Sequence, residues 1–486
     1  MSRSPMSSSS ALEIAERALP SDDWLNEEFS ENDFSDVRHH RRLKMLVEAM
    51  SNDAGGTIPH ACQDDANTKA AYRFLTNDAV SEAEILAGHF AATRQRARAC
   101  DGPILVLHDT TEFSFERKDE AAIGWTQGLK RGPGRYGQGS AIVKCCGILM
   151  HGSLVVTPAG VPLGLSAVRL WNRETFKGSK ARDKINDARI PLDQKESVRW
   201  LEGMRSSCEV IGDPQRCVHI GDRESDMIEF FATAEELGTQ FLIRTSANRV
   251  ASEDGERVSS IMATVPVAGT HRIENRNAHG ETREIVLHVK YKTLTIYPPE
   301  PKAKVIKPIE LTVIYASEAN PPKNQAKVEW KLLTNLPVTS LKSAITKLNW
   351  YALRWKIETY HKILKSGCKV EDSKLRTKER LTNLIAVCCI VSWRIFWLTM
   401  INRADARADP KIALTKIEIE VLDLRVRDKT NTPREGIARY IQKIARLGGY
   451  LARNNDPPPG NVVMWRGLTR LADIVDGASL IRKLCG

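Results

Sequence analysis

The stretch Tyr351 to Lys365, "YALRWKIETYHKILK", reads as an amphipathic helix. At an advance of about 100° per residue, Leu353, Ile357, Tyr360 and Leu364 line one side with Trp350 near them, and that side can pack on a core. Tyr351, Arg354, Glu358 and Lys365 are offset by 0, 3, 7 and 14 positions, which places all four in one narrow sector of a continuous helix. The question is what an edge holding an aromatic, two cations and a single carboxylate in register over roughly 20 Å is meant to meet.

The rest of the chain narrows the answer. A length of 486 residues sets an expectation of about three domains. Hydrophobic residues make up 42% and charged residues 27%, the balance of an ordered globular protein rather than a disordered one. The formal charge of +11 points to polyanionic partners, with nucleic acid first. An acidic membrane surface would be the second, but no basic amphipathic anchor or lipidation signal stands out. The start, "MSRSPMSSSS", has no apolar h-region and reads as a loose tail. The run "LTNLIAVCCIVSWRIFWLTMI", Leu381 to Ile401, contains Arg394, which costs about 2.5–3.5 kcal/mol to insert in a membrane, so a buried core helix is expected. Ten cysteines without a Cys-x-x-Cys give no support to a zinc site or a disulfide framework, and they read as buried thiols in a reducing cytoplasm.

Residues from about 20 to 95 are helical in pattern. "FSDVRHHRRLKMLVEAM" opens on cap candidates Ser35 and Asp36 and carries Arg38, Arg41, Arg42 and Lys44, while "SEAE" from Ser81 is a capping box. A basic helix can be just a solvated face, and the overall charge tilts this one toward DNA. Strands come next: "PILVLHDTTEFSF", "SAIVKCCGILMHG" and "SLVVTPAGVPLGLSAVRLW". Then come a helix at "QKESVRWLEGM", a strand at "CVHIGD", a helix from near Asp226 and a strand at "FLIRTS", which together indicate a mixed α/β sheet. From about 247 to 332 the helical pattern disappears, and "TREIVLHVKYKTLTIY" and "IELTVIYAS" alternate as a long ribbon flanking "PPEPKAKVIKP". The predicted domains are therefore helical over 1–95, α/β over 96–372 with a β-rich insertion, and helical over 373–486.

Three acids sit where active-site acids sit in such a core. Asp109 ends "ILVLH" and Asp222 ends "CVHIG", each directly after a buried strand, at the sheet end where open α/β sheets bind ligands. Glu358 is the only acid in the polar sector of the opening helix. Oxygen donors without nitrogen or sulfur point to Mg²⁺ or Mn²⁺, and two such ions about 3.5–4 Å apart can activate a water or a 3′-hydroxyl and stabilise a leaving oxygen. Taken singly, a strand-terminal Asp also serves as a turn or helix cap, and a lone helical Glu as a solvated face.

Together these residues resemble the bacterial cut-and-paste DDE transposases of the RNase H-like superfamily, in the insertion-sequence-four family that includes the transposon-five enzyme. The motif that carries the resemblance is Tyr-x2-Arg-x3-Glu-x6-Lys, met at Tyr351, Arg354, Glu358 and Lys365. "HDTTEFSF" around Asp109 and "GDRESD" around Asp222 look like that family's other two catalytic blocks, and "AAYRFLTND" near Arg73 like its N-terminal DNA-binding part. The resemblance implies that Asp109, Asp222 and Glu358 are catalytic and hold two Mg²⁺ ions, with Mn²⁺ as substitute. It implies DNA contacts from Tyr351, Arg354, Lys365, Arg244, Arg73 and Arg41. It also implies that Trp330, otherwise a core strand residue, stacks on a base flipped from the transposon end.

The expected partners are double-stranded DNA, both inverted-repeat ends and target, and a second copy of the chain in an end-paired homodimer. No membrane and no nucleotide cofactor are expected, and the expected location is the bacterial cytoplasm at the nucleoid. The Gly-rich "RGPGRYGQG", Arg131 to Gly139, lacks the Gly-Lys-Ser/Thr of a phosphate loop and reads as a hairpin turn. A silent DNA-binding relative would lose acids or phosphate-gripping residues, and all are present. An RNase H-like nuclease without strand transfer would not need the long helical C-terminal part.

Overall fold

The computed structural model describes residues 24–30, 34–53, 55–117, 120–130, 142–173, 195–276, 282–323, 326–404, 406–429, 433, 435–454 and 456–485. It opens with five helices, α1 (Trp24–Glu28), α2 (Val37–Asn52), α3 (Ile58–Cys62), α4 (Asp65–Thr76) and α5 (Glu82–Arg98). Asp36 caps α2 by accepting the Arg38 N–H at 2.8 Å, and Ser81 with Glu84 closes the expected capping box of α5. Four strands come after them, β1 (Ile104–Ser114), β2 (Trp125–Lys130), β3 (Ile142–Val156) and β4 (Pro162–Trp171). The sequence pattern divided the third strand at Gly152, but β3 runs through that glycine. The reversal comes at Thr157 to Gly160, where Gly160 takes a φ of 82°.

The alternating segment comprises α6 (Val198–Ile211), β5 (Cys217–Gly221), α7 (Ile228–Leu237) and β6 (Gln240–Arg244). It leads to α8 (Val258–Thr264), β7 (Gly269–Arg276), β8 (Thr282–Ile296), β9 (Ile309–Glu318) and β10 (Glu329–Thr334). Helix α8 corrects the reading of 247–332 as free of helix. It spans only two turns, too few for its buried Val258, Ile261 and Met262 to stand out as a period. The ribbon itself forms as read, with β8 and β9 antiparallel from Leu287 opposite Glu318 to Ile296 opposite Ile309. Six helices complete the chain: α9 (Leu341–Ala352), α10 (Trp355–Ser366), α11 (Lys378–Ala404), α12 (Lys416–Arg425), α13 (Ile437–Leu447) and α14 (Asn461–Cys485).

The chain packs as two compact units, one made of Gly102–Asp109 and Ile190–Ile357, the other of Met1–Asp101, Thr110–Arg189 and Glu358–Gly486. In the first, the start of β1 pairs in parallel with β5, and β5 with β6. Beyond β6 the order continues antiparallel through β10, β9, β8 and β7. All five residues of β5 are buried, the all-apolar habit of a strand covered on both faces. Phe231 stacks on Phe241 at 5.0 Å beside Phe230, Trp200 and Met204 in the core of this unit.

The second unit is organised on α11, which packs against α2, α4, α5, α13, α14 and β4. It is long and apolar enough to span a membrane, yet 94% of its most apolar window is buried in protein. Arg394 lies with its guanidinium 4.2 Å from the Trp24 ring centre, and burial pulls its pKa down to about 10 against the pull of Glu418 and Glu28.

A buried ionic knot ties α1, α5, β4 and α11 together. Arg96 donates to Glu28 at 2.9 Å and lies 4.1 Å over the Trp393 ring. Leu165 N–H donates to His89 Nε2 at 2.9 Å, so His89 turns Nδ1 toward Glu28. Burial alone would raise the Glu28 carboxyl, but Arg96 and His89 more than offset it and hold it at about 2. Because its folded value is depressed, the stability it contributes is full above the ordinary value of 4.5 and is lost as the pH falls toward about 2. Glu28→Ala leaves Arg96 buried without its counter-charge and should cost about 3–5 kcal/mol. Unchanged calorimetric unfolding of that variant would contradict this knot.

Candidate active site

The central parallel strands lead to two carboxylates. Leu107, opposite Ile220, is the last β1 residue paired with β5; Asp109 comes two residues later within β1, and Asp222 two residues after Ile220, just past the end of β5. Neighbouring strands lie about 4.8 Å apart. Gly221 is paired with Ile243, the last β6 residue paired with β5, and Arg244 follows it. Counted on from the last paired residues, three adjacent strands carry a row of acid, acid and base in Asp109, Asp222 and Arg244.

The turn beyond β5 holds Asp222 in place. Asp222 caps a short 3₁₀ turn, its Oδ1 accepting the Glu224 N–H at 2.8 Å while its carbonyl accepts Ser225 Oγ at 2.6 Å. This turn folds tightly against Gly221: a Cβ there would stand 2.4 Å from Ser225 Oγ and 3.0 Å from Trp200. Asp226 has a different role. Its carboxylate accepts Thr245 Oγ1, the N–H groups of Ser246 and Ala247, and two N–H groups of Arg249, the last at 2.6 Å. With its side chain 1% exposed and so many donors, Asp226 clips the turn to the end of β6 and is spent as a ligand. Arg244 donates to the Glu329 carbonyl at 2.9 Å.

A cation faces the row from the segment that opened the sequence reading. Arg354 Nη1 lies 3.6 Å from Asp109 Oδ1, with both side chains largely covered. That segment is not one helix. Leu353, Arg354, Lys356 and Ile357 each donate to the residue three before them, a tightened turn that ends α9 and starts α10. Glu358 and Lys365 lie on α10, Arg354 in the turn before it, and Tyr351 on α9.

Tyr351 is also not on an open polar edge. It is 6% exposed, and its ring meets Trp330 of β10 edge-on, 5.7 Å between centres at 66°. Burial pushes its hydroxyl up, with Arg354 and Arg244 working the other way. Periodicity could not reveal this, because the covering residue comes from a strand distant in sequence. Trp330 itself is half-buried rather than sealed in the core.

In the other unit, Glu358 is half-buried in the first turn of α10, and Lys365 in its last turn sits 5.7 Å from the Phe113 ring centre. Arg41 on α2 and Arg73 on α4 are exposed, on helices joined by the Arg42–Asn67 hydrogen bond at 3.1 Å. The segment Arg131 to Gly139 lies outside the described residues. The sequence reading missed the Asp226–Arg249 clip and a buried group of His108 from β1, Cys208 from α6, and Cys217 and His219 from β5.

Three family models match the chain in order: transposase DNA-binding over residues 21–80, transposase DDE domain over 196–394, and transposase Tn5 dimerisation domain over 390–485. The chain belongs to the transposon-five-like DDE transposases. Its mixed α/β core is therefore RNase H-like, flanked by helical N- and C-terminal regions, and the insertion-sequence-four family is consistent with it. The transposase DDE match includes Asp222, Trp330, Tyr351, Arg354, Glu358 and Lys365, while Asp109 precedes it.

DDE transposase domains are divalent-metal dependent, and aspartates offer the oxygen donors that suit a hard divalent cation, with a guanidinium already drawn to Asp109. Gly221→Ala forces the Ser225 turn outward and should shift Asp222. We expect end cleavage to fall at least about tenfold with little change in DNA binding, since a displacement of about 1 Å at such a centre can cost a hundredfold. Cleavage at the wild-type rate would show that the close packing at Gly221 is irrelevant to Asp222.

Proposed function

We propose that this transposase hydrolyses one strand at each end of its element, turns the freed 3′-OH on the opposite strand to form a hairpin, reopens it, and then joins the 3′-OH to target DNA. The observation that carries the reading is the 3.6 Å ion pair of Arg354 with Asp109 of β1, next to the parallel strand β5 that Asp222 follows. Glu358, in the family's Tyr-x2-Arg-x3-Glu-x6-Lys pattern, is the third member of the set. These acids would hold two divalent cations, Mg²⁺ or Mn²⁺. When bound, such ions make water or a 3′-hydroxyl nucleophilic and offset charge on the leaving oxygen.

The protein's own groups orient the DNA. Arg354 exchanges its ion pair with Asp109 for a bidentate grip on a phosphate beside the cut, and Lys365 neutralises a neighbouring phosphate. The Tyr351 hydroxyl, already beside Arg354, holds a phosphate oxygen, and Arg244 contacts the backbone next to Asp222. Trp330, half-buried against Tyr351, is the stacking platform for a base flipped from the transposon end. Arg41 and Arg73 present exposed charge to the end sequence from the DNA-binding part. Pairing of two protomers through the C-terminal helices would withhold cutting until both ends are present.

Asp109→Ala should reduce strand cleavage in Mg²⁺ to background while gel-shift binding of end DNA persists. Cleavage that survives removes Asp109 from the metal set. Trp330→Ala should nick normally and form hairpins about five- to a hundredfold less, the equivalent of about 1–3 kcal/mol of stacking. Normal hairpin yield would return Trp330 to a packing role, and nicking without any joined product from the wild type would favour a nuclease.

A further inference from the structure

On the side of β5 that faces α6, a compact sulfur and nitrogen cluster is buried within the β5 unit. Cys208 of α6, Cys217 and His219 of β5 each offer one ligand atom, and these atoms all lie within 4.8 Å of one another. Cys208 Sγ is 3.4 Å from His219 Nε2. The other ring nitrogen, Nδ1, is 2.9 Å from His108 Nε2, and the two rings stack at 5.1 Å. Cys208 is 4% exposed, and Cys217, His219 and His108 not at all. Thr239 brings a hydroxyl to the edge, donating to the Cys217 carbonyl at 3.2 Å, and Cys217 Sγ donates to the Asp213 carbonyl at 3.4 Å.

Nothing in the transposition chemistry uses this group. The carboxylates that would serve DNA cutting are hard oxygen donors, and this set is soft, two thiols and an imidazole. Tetrahedral Zn²⁺, with bonds of about 2.3 Å to sulfur and 2.0–2.1 Å to nitrogen, separates its ligand atoms by about 3.6–3.8 Å. The Cys208–His219 spacing is already within a few tenths of an ångström of that. A ligating histidine ordinarily engages a partner through its second nitrogen, which His219 does with His108.

We propose that Cys208, Cys217 and His219 bind one thiophilic d¹⁰ cation, Zn²⁺ or Cu(I). The ion ties the C-terminal turn of α6 to β5, three residues ahead of Asp222. It is a structural ion: it takes no part in phosphodiester chemistry, and it stabilises the strand that carries the second aspartate. Its absence from the sequence reading has a simple cause, since the ligands come from a helix and a strand and keep no regular Cys-x-x-Cys spacing.

The test is elemental analysis of full-length protein from zinc-supplemented medium after gel filtration in zinc-free Mg²⁺ buffer, with X-ray absorption at the bound metal's edge. The expected result is one zinc per chain with two sulfur ligands and one imidazole, lost in Cys208→Ser and kept in Cys388→Ser. Copper with the same sulfur count supports the site and fixes the ion as Cu(I). Should Cys208→Ser fail to fold, wild-type protein loaded with Co²⁺ supplies the readout, a near-ultraviolet thiolate-to-cobalt band that carboxylate sites lack. Wild-type protein that retains and takes up no ion, that binds one through oxygen and nitrogen alone, or that carries a Cys208–Cys217 disulfide by mass spectrometry overturns the proposal.

Discussion

The ion pair of Arg354 with Asp109 of β1, beside the parallel strand that ends at Asp222, is the constraint on which the proposed site depends. Two unit charges about 5 Å apart repel by about 3 kcal/mol at an effective dielectric of 20, so carboxylates on neighbouring strands persist only where cations are supplied. Arg354 supplies one from the turn between α9 and α10, 3.6 Å from Asp109. Arg244 follows Ile243, the last β6 residue paired with β5, as Asp222 follows Gly221. Gly221 lets the Ser225 turn close beneath Asp222, and Asp226 spends its carboxylate holding that turn to β6. A sheet end built this way invites a divalent ion, and a basic protein of charge +11 brings polyanionic DNA to meet it.

Much of this was legible in the residues. The runs "ILVLH" and "CVHIG" marked the buried, mutually paired parts of β1 and β5, and Asp222 does follow the end of β5, whereas β1 continues through Asp109 to Ser114. The capping box at Ser81 and the ribbon of β8 and β9 were equally plain. What failed was whatever depends on distant packing. The break at Leu353 and Arg354 leaves no mark in the apolar period of the letters, so a two-helix segment looked like one. Tyr351 looked exposed because Trp330, which covers it, is remote in the chain. Within "GDRESD" nothing in the letters separates Asp222, offered to the site, from Asp226, saturated by Arg249 and backbone donors.

The chain's division also bears on the acids. Asp109 is the last residue of its segment in one unit, and Glu358 opens a segment of the other. Each acid depends on the folding of its own unit. In the helix-rich unit that dependence passes through the Glu28–Arg96–His89 knot. In the sheet-rich unit it passes through the β5 strand, with the Cys208–Cys217–His219 cluster on one side and Asp222 at its end.

The central claim is that Asp109, Asp222 and Glu358 share one pair of metal ions. It is tested most directly by replacing Mg²⁺ with Fe²⁺ in the DNA-bound protein and adding ascorbate and peroxide, so that hydroxyl radicals cut the polypeptide near the iron. Convergence predicts fragments ending close to residues 109, 222 and 358 together, all suppressed by excess Mg²⁺. Cuts confined to one or two of those places, with the third untouched, would contradict it.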